Sequence, residues 1–133
     1  MAKRPNILKL ATKISLESLT YTGITYTDPE YRILDPIVTD MCRVMMHLRL
    51  ETDRPVGEVA KRCKESEAFV QEQLDKLVAA GIVRSRKADG VDCYYYPIWV
   101  PGIMEGILSN REQCDRYPDL GYCFEEYTRR RIE

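Results

Sequence analysis

The sequence has no apolar run approaching the ~20 residues that span a bilayer. It also lacks any CxxC pair among its five cysteines, has a single histidine, and contains no glycine-rich phosphate loop. Each absence removes a class of function. Without an apolar run, no membrane partner is expected. The N-terminus, Met1-Ala2-Lys3-Arg4-Pro5-Asn6, is charged, but apolar residues then alternate with Lys, Thr and Ser. A secretion signal needs an unbroken apolar stretch, so a cytoplasmic location is expected.

Cys42, Cys63, Cys93, Cys114 and Cys123 are odd in number and widely spread. A disulfide framework or a metal or iron–sulfur site would need paired or clustered thiols. Small buried hydrophobes in a reducing cytosol are the plainer reading, and Cys63 falls on an expected core face. Cys114 and Cys123 could approach at a helix–loop corner, but two thiols make no cluster. His47 lies beside Leu48 in a helical stretch and reads as a surface or boundary residue, since acid–base or nucleophilic work needs a partnered imidazole. Glu125-Glu126 reads as solvated helix charge. Gly102 and Gly106 do not fit the dinucleotide pattern GxGxxG, and no glycine–lysine–serine run occurs. No catalytic, cofactor-binding or metal-ligating residue is therefore expected in this chain.

Charge of one sign is also missing. The net charge is −1, so no global field draws the chain to nucleic acid or acidic lipid, although local basic patches remain open. What is present suffices for a core: 44% of residues are apolar against 31% charged. There are no repeats and no low-complexity tracts.

Residues 1–27 are rich in Thr, Ser and Lys, and Leu8, Leu10, Ile14, Leu16 and Leu19 show no clean period. This segment reads as an arm that orders against something else. Asp28-Pro29 starts a helix, with Asp as cap and Pro tolerated in the first turn. Asp35-Pro36 restarts or kinks it. Ile37, Met41, Val44, Met45 and Leu48 then recur on one helical face. Arg54-Pro55-Val56-Gly57 is a short extended stretch with Gly57 as cap. A short helix, Glu58 to Cys63, buries Val59, Ala60 and Cys63. Lys64-Glu65-Ser66 turns, and Ser66 caps a helix lined by Val70, Leu74, Leu77 and Val78 and ended by Gly81.

After Gly81 the period changes. Residues 82–87 and Val91 to Tyr96 read as strands joined by Ala88-Asp89-Gly90, a hairpin. Ile103, Met104, Ile107 and Leu108 suggest a short helix, and Asn110-Arg111 begins a polar segment. Tyr117-Pro118-Asp119 starts a last helix carrying Leu120, Cys123, Phe124 and Tyr127, with Arg129-Arg130-Arg131 at its end. The chain stops soon after this charged helix, like an excised piece or a subunit.

The expected fold is α+β, mostly α: a winged helix-turn-helix, three helices plus a β-hairpin wing, with a C-terminal helical extension. The divisions are an N-terminal arm (1–27), a winged-helix domain (28–100) and a helical extension (101–133). Two functions suit such a scaffold. As a DNA-binding transcriptional regulator, and then as a homodimer, the chain would read adenine edges with Gln71 and Gln73 and hold phosphates with Arg84, Arg86 and Lys87. The recognition helix objects, because Glu67, Glu72 and Asp75 outnumber Lys76. As a docking module, the chain would use aromatic anchors, with Tyr94, Tyr95 and Trp99 foremost among Tyr96 and the arm tyrosines Tyr21, Tyr26 and Tyr31. About half of these rings would instead fill the domain's own core.

Several runs carry a resemblance. They are Tyr31 to Met41, Arg54-Pro55, Tyr96-Pro97-Ile98-Trp99-Val100-Pro101-Gly102, Asn110-Arg111-Glu112-Gln113, Tyr117-Pro118 and Phe124 to Arg129. Together they resemble the N-terminal region of anaerobic iron–sulfur flavoprotein oxidoreductases of the pyridine nucleotide–disulfide class. The resemblance covers about residues 28–133. It implies a non-catalytic docking or structural module that packs on partner domains carrying iron–sulfur clusters and flavin. The chain departs from the complete enzymes in lacking cluster cysteines and dinucleotide glycines, so no redox residue carries over, and no cofactor is expected in this chain.

Overall fold

A computed structural model describes residues 3–18 and 23–132. The first element is a helix, α1 (Pro5–Glu17). Pro5 opens it without loss, because its missing N–H would have no partner in the first turn. Ile7, Leu10, Ala11 and Ile14, spaced i, i+3, i+4, i+7, are buried in the core, and α1 packs on the next two helices. The expectation of a segment without period is corrected here. Leu8 is half-buried and Leu16 is 51% exposed, so they blur a stripe that Ile7 and Ala11 complete. Leu19 and Tyr21 lie outside the described residues. Each of the larger chains on this face contributes on the order of 2 kcal/mol by leaving water.

Helix α2 (Pro29–Val38) begins at Asp28 as expected. The Asp28 carboxylate, however, makes no cap bond to the helix. It accepts from the Thr25 N–H at 2.7 Å and from Arg130 at 2.8 Å. The single long helix expected over 37–48 is also corrected. The chain leaves α2 at Thr39 (φ 40°, ψ −115°), makes a tight 3-10 turn over Thr39–Met41, and continues as a short α3 (Cys42–Met45). Pro36 has no N–H to return to the Arg32 carbonyl, which weakens the helix just before the break. The apolar face survives: Ile37, Met41, Val44, Met45 and Leu48 are all buried.

Strand β1 (Arg54–Pro55) leads directly into α4 (Val56–Cys63), so Gly57 lies inside the first turn and Pro55 takes the cap position expected of Gly57. Val59, Ala60 and Cys63 face the core. Lys64 adopts the left-handed conformation (φ 59°) in the turn to α5 (Glu67–Ala80). There Ser66 Oγ accepts from the Phe69 N–H at 3.2 Å, a cap of about 1 kcal/mol. Val70, Leu74 and Leu77 are fully buried. Strands β2 (Arg84–Ala88) and β3 (Val91–Tyr95) form the expected hairpin, closed by Asp89 (φ 52°) and Gly90 (φ 80°), the two positive-φ positions of a type I′ turn. β1 pairs with the other edge of β3, Arg54 opposite Tyr94, giving an antiparallel sheet in the order β1-β3-β2.

The remainder is helical. A wide turn, Trp99–Ile103, leads into α6 (Met104–Leu108), then α7 (Arg111–Arg116) and α8 (Leu120–Ile132). The polar segment beginning at Asn110 is thus a helix, with Asn110 Oδ1 accepting from the Gln113 N–H at 3.0 Å. Asn110 and Gln113 also serve α5: their side-chain amides donate to the Ala79 and Ala80 carbonyls, both at 2.9 Å, satisfying acceptors that a helix end leaves open. Gly81, which ends α5 at φ 87°, meets Gly106 backbone to backbone. A Cβ at Gly81 would lie 2.0 Å from the Gly106 carbonyl oxygen. α8 packs on α2 with Leu120, Cys123, Phe124 and Tyr127 buried. Trp99, with no exposed surface, donates from Nε1 to Ser15 Oγ at 3.0 Å and tilts against Tyr127. The result is an α+β fold, mostly helical, with one small antiparallel sheet. Among the described residues no helix is long and apolar enough to cross a membrane.

Candidate interaction surface

The helix α5 and the β2–β3 hairpin carry the residues considered for nucleic acid. Gln71 is held within the chain: its Nε2 donates to Asp75 Oδ1 at 2.9 Å and to the Tyr94 hydroxyl at 2.8 Å. Gln73 is 8% exposed and belongs to the buried side of α5. Arg84 donates to the Gly102 carbonyl at 3.2 Å. Arg86 is tied four ways, to Asp53 Oδ1 at 2.5 Å, to the Glu51 carbonyl at 3.3 Å, to the Glu51 carboxylate at 3.8 Å, and over the Tyr95 ring at 4.2 Å. The hydrogen bond to Asp53 raises the pKa of Arg86 further above its ordinary value. Lys87 is exposed at the end of the hairpin. Along α5, Glu67, Glu72, Asp75 and Lys76 are all exposed, and three carboxylates against one ammonium leave the face at −2.

The aromatic anchors face the other way. Tyr94 and Tyr95 are 6% and 8% exposed, and Trp99 and Tyr96 are fully buried. In this chain they fill its own core. Tyr31 is buried and Tyr26 half-buried, in edge contact at 4.9 Å. The exposed apolar residues are different ones, including Phe69, Val91 and Tyr122. The apolar periods held the signal for two of them. Phe69 sits one step off the Val70–Leu74–Leu77 stripe, and Tyr122 one step off Cys123, which turns both outward.

Two polar clusters were not anticipated. At α1, Lys13 Nζ donates to Glu17 Oε1 (2.7 Å), the Leu48 carbonyl (2.6 Å) and the Tyr96 hydroxyl (2.6 Å). All three of its protons are used. Burial lowers the Lys13 pKa and raises that of Tyr96. Between α2 and α8, Arg130 pairs with Asp28 at 2.8 Å and with Glu30, which has no exposed surface. Leu48 and Tyr96 lie far from Lys13 in sequence, and Arg130 far from Asp28 and Glu30, which hid both clusters from a local reading.

Nucleophilic chemistry finds little footing. Burial pushes the Cys42 thiol up to about 11 and raises Cys63, Cys93 and Cys123 as well, so these sulfurs stay protonated and weakly reactive. His47 is half-buried, and burial followed by Arg62, Arg54, Arg43 and Lys13 holds it below its ordinary pKa. Among the described residues no group of three His, Cys, Asp or Glu side chains converges to hold a metal ion. Comparisons with protein-family profiles, with curated proteins and with solved structures find no match to this chain.

Proposed function

We propose that the chain is a winged-helix docking module of an anaerobic iron–sulfur flavoprotein oxidoreductase, acting in the cytoplasm without a catalytic centre of its own. The order β1, α4, turn, α5, hairpin, with β1 on the free edge of β3, supports the winged-helix description. Asn110 and Gln113, part of the runs that resemble the oxidoreductase region, close the end of α5, which gives that motif a physical role in the fold.

The observation that carries the choice of docking over DNA is the state of the α5–hairpin surface. A duplex needs cations or N–H groups aimed at phosphates. Here the helix face is net acidic, and Arg86 is held in an ion pair with Asp53, while Arg84 gives one bond to the Gly102 carbonyl. Freeing Arg86 would break an ion pair and expose Asp53 to the same phosphates.

The test has two arms. Fluorescence anisotropy with random duplex DNA at low salt should give no binding. Titration against a purified oxidoreductase of this class should give a saturable complex. DNA binding that weakens as salt rises, with a slope flattened by losing Arg84 and Arg86, would establish the regulator instead.

A further inference from the structure

Three short elements meet beside His47. Arg54 on β1 donates from Nη1 to the His47 carbonyl at 2.6 Å. Arg43 on α3 reaches the Cys63 carbonyl at the end of α4, at 3.1 Å, and the same last turn of α4 carries Lys61 and Arg62. Arg49 follows two residues after His47 and is exposed. Positive charge therefore gathers where α3, β1 and α4 join. Two carboxylates answer it: Glu58 pairs with Arg62 at 3.1 Å, and Glu65 with Arg43 at 2.6 Å.

Arg49 and Arg54 form no ion pair among the described residues. Arg54 is only 9% exposed, and one carbonyl accepts from it. A guanidinium has five donors, and among the described residues the chain supplies an acceptor for only one of them, while no Arg54 nitrogen is sealed from water without a partner. Burial, followed by the charge of Arg62, holds the Arg54 pKa down in spite of the opposing charges of Glu58 and Glu17.

We propose that Arg49 and Arg54, flanked by the Glu58-paired Arg62, form a carboxylate-binding patch that seats an acidic segment of the protein partner. This rests on the docking reading above and adds the place and chemistry of the contact. The planar fork of arginine matches a carboxylate with two parallel hydrogen bonds. The patch is also bounded. Glu58 and Glu65 border it, and the acidic face of α5 begins directly beyond, with Glu67. A long polyanion such as DNA would run onto those carboxylates, which a short acidic segment need not reach.

His47 is the built-in reporter, since an arriving carboxylate would offset the cations facing it, Arg43, Arg54, Arg62 and Lys13, with Glu58 and Glu65 already paired. NMR titration of the imidazole with a short polyglutamate peptide should raise its midpoint, and the R49E/R62E variant should abolish the rise. In the same variant, affinity for the oxidoreductase should fall about tenfold. Circular dichroism checks that the variant folds, and R49A/R62A serves if it does not. A midpoint that stays put, or that moves with duplex DNA and not with the peptide, overturns the patch. So does wild-type affinity for the oxidoreductase after charge reversal, an outcome that leaves the docking reading standing.

Discussion

The two half-buried charge clusters solve the same problem differently. Around Lys13 every donor has an acceptor, and Glu17 Oε2 takes the Leu50 N–H at 2.8 Å as well. Around Glu30 the carboxylate is fully buried, and its Oε1 meets no donor among the described residues. The protonation equilibria record the difference. Burial pushes Glu17 up, but the bonds from Lys13 and Leu50 outweigh it, and its pKa ends below the usual carboxylate range. At Glu30 burial wins over the residue's own backbone N–H and over Arg130, and the pKa ends above it. A buried ion pair is thus a poor predictor of stability until its remaining lone pairs are followed to their partners.

The sharpest way to break the contrast is Lys13→Met. It leaves a carboxylate, a carbonyl and a hydroxyl short of a donor at once, and chemical denaturation should report a loss of about 3 kcal/mol. Arg130→Met comes next. It strips the counter-charge from Glu30, but Glu30 can take up a proton in response, so the expected loss is smaller, about 2 kcal/mol at neutral pH. A loss larger than that of Lys13→Met would reverse the ranking.

Glu30→Gln should cost less than about 1 kcal/mol at neutral pH, because it removes a buried charge whose hydrogen bonding was incomplete. Its clearer effect is on pH dependence. With its pKa raised on folding, Glu30 contributes stability that is full below its unfolded pKa and is lost as pH rises through the folded one. Glu17, with its pKa lowered, contributes stability that is present above its unfolded pKa and is lost as pH falls through the folded one. Thermal melts from neutral pH into acid should therefore show Glu30→Gln removing a gain just above the usual carboxylate range. Glu17→Gln should remove a loss at and below that range. Identical slopes in the two variants would erase the distinction between the clusters.

What was legible in the sequence was what is local. Ser66, Gly81 and Asp89-Gly90 each act within a few residues, and α5 and the hairpin stand where those residues put them. α1 was not legible because Ala11 is a weak apolar marker and Leu8 and Leu16 lie off the buried face. α7 buries no residue and leaves no apolar period to find. The break after α2 follows from Pro36 in hindsight, yet the buried face runs through it unchanged, so apolar spacing alone concealed it. The proposed surface was harder still. Nothing near Arg86 in sequence announces Asp53, and no periodicity places Arg54 against the backbone of His47.

The Gly81–Gly106 contact has a mechanical meaning. A Cβ at Gly106 would sit 1.8 Å from the Gly81 carbonyl oxygen, so two main chains touch there with no side chain between them to act as a cushion. The amides of Asn110 and Gln113, bonded to the Ala79 and Ala80 carbonyls, pin the joint against sliding. A load applied to the final helices by a bound protein would pass straight into the tip of α5, and the helix and the tail would turn as one lever.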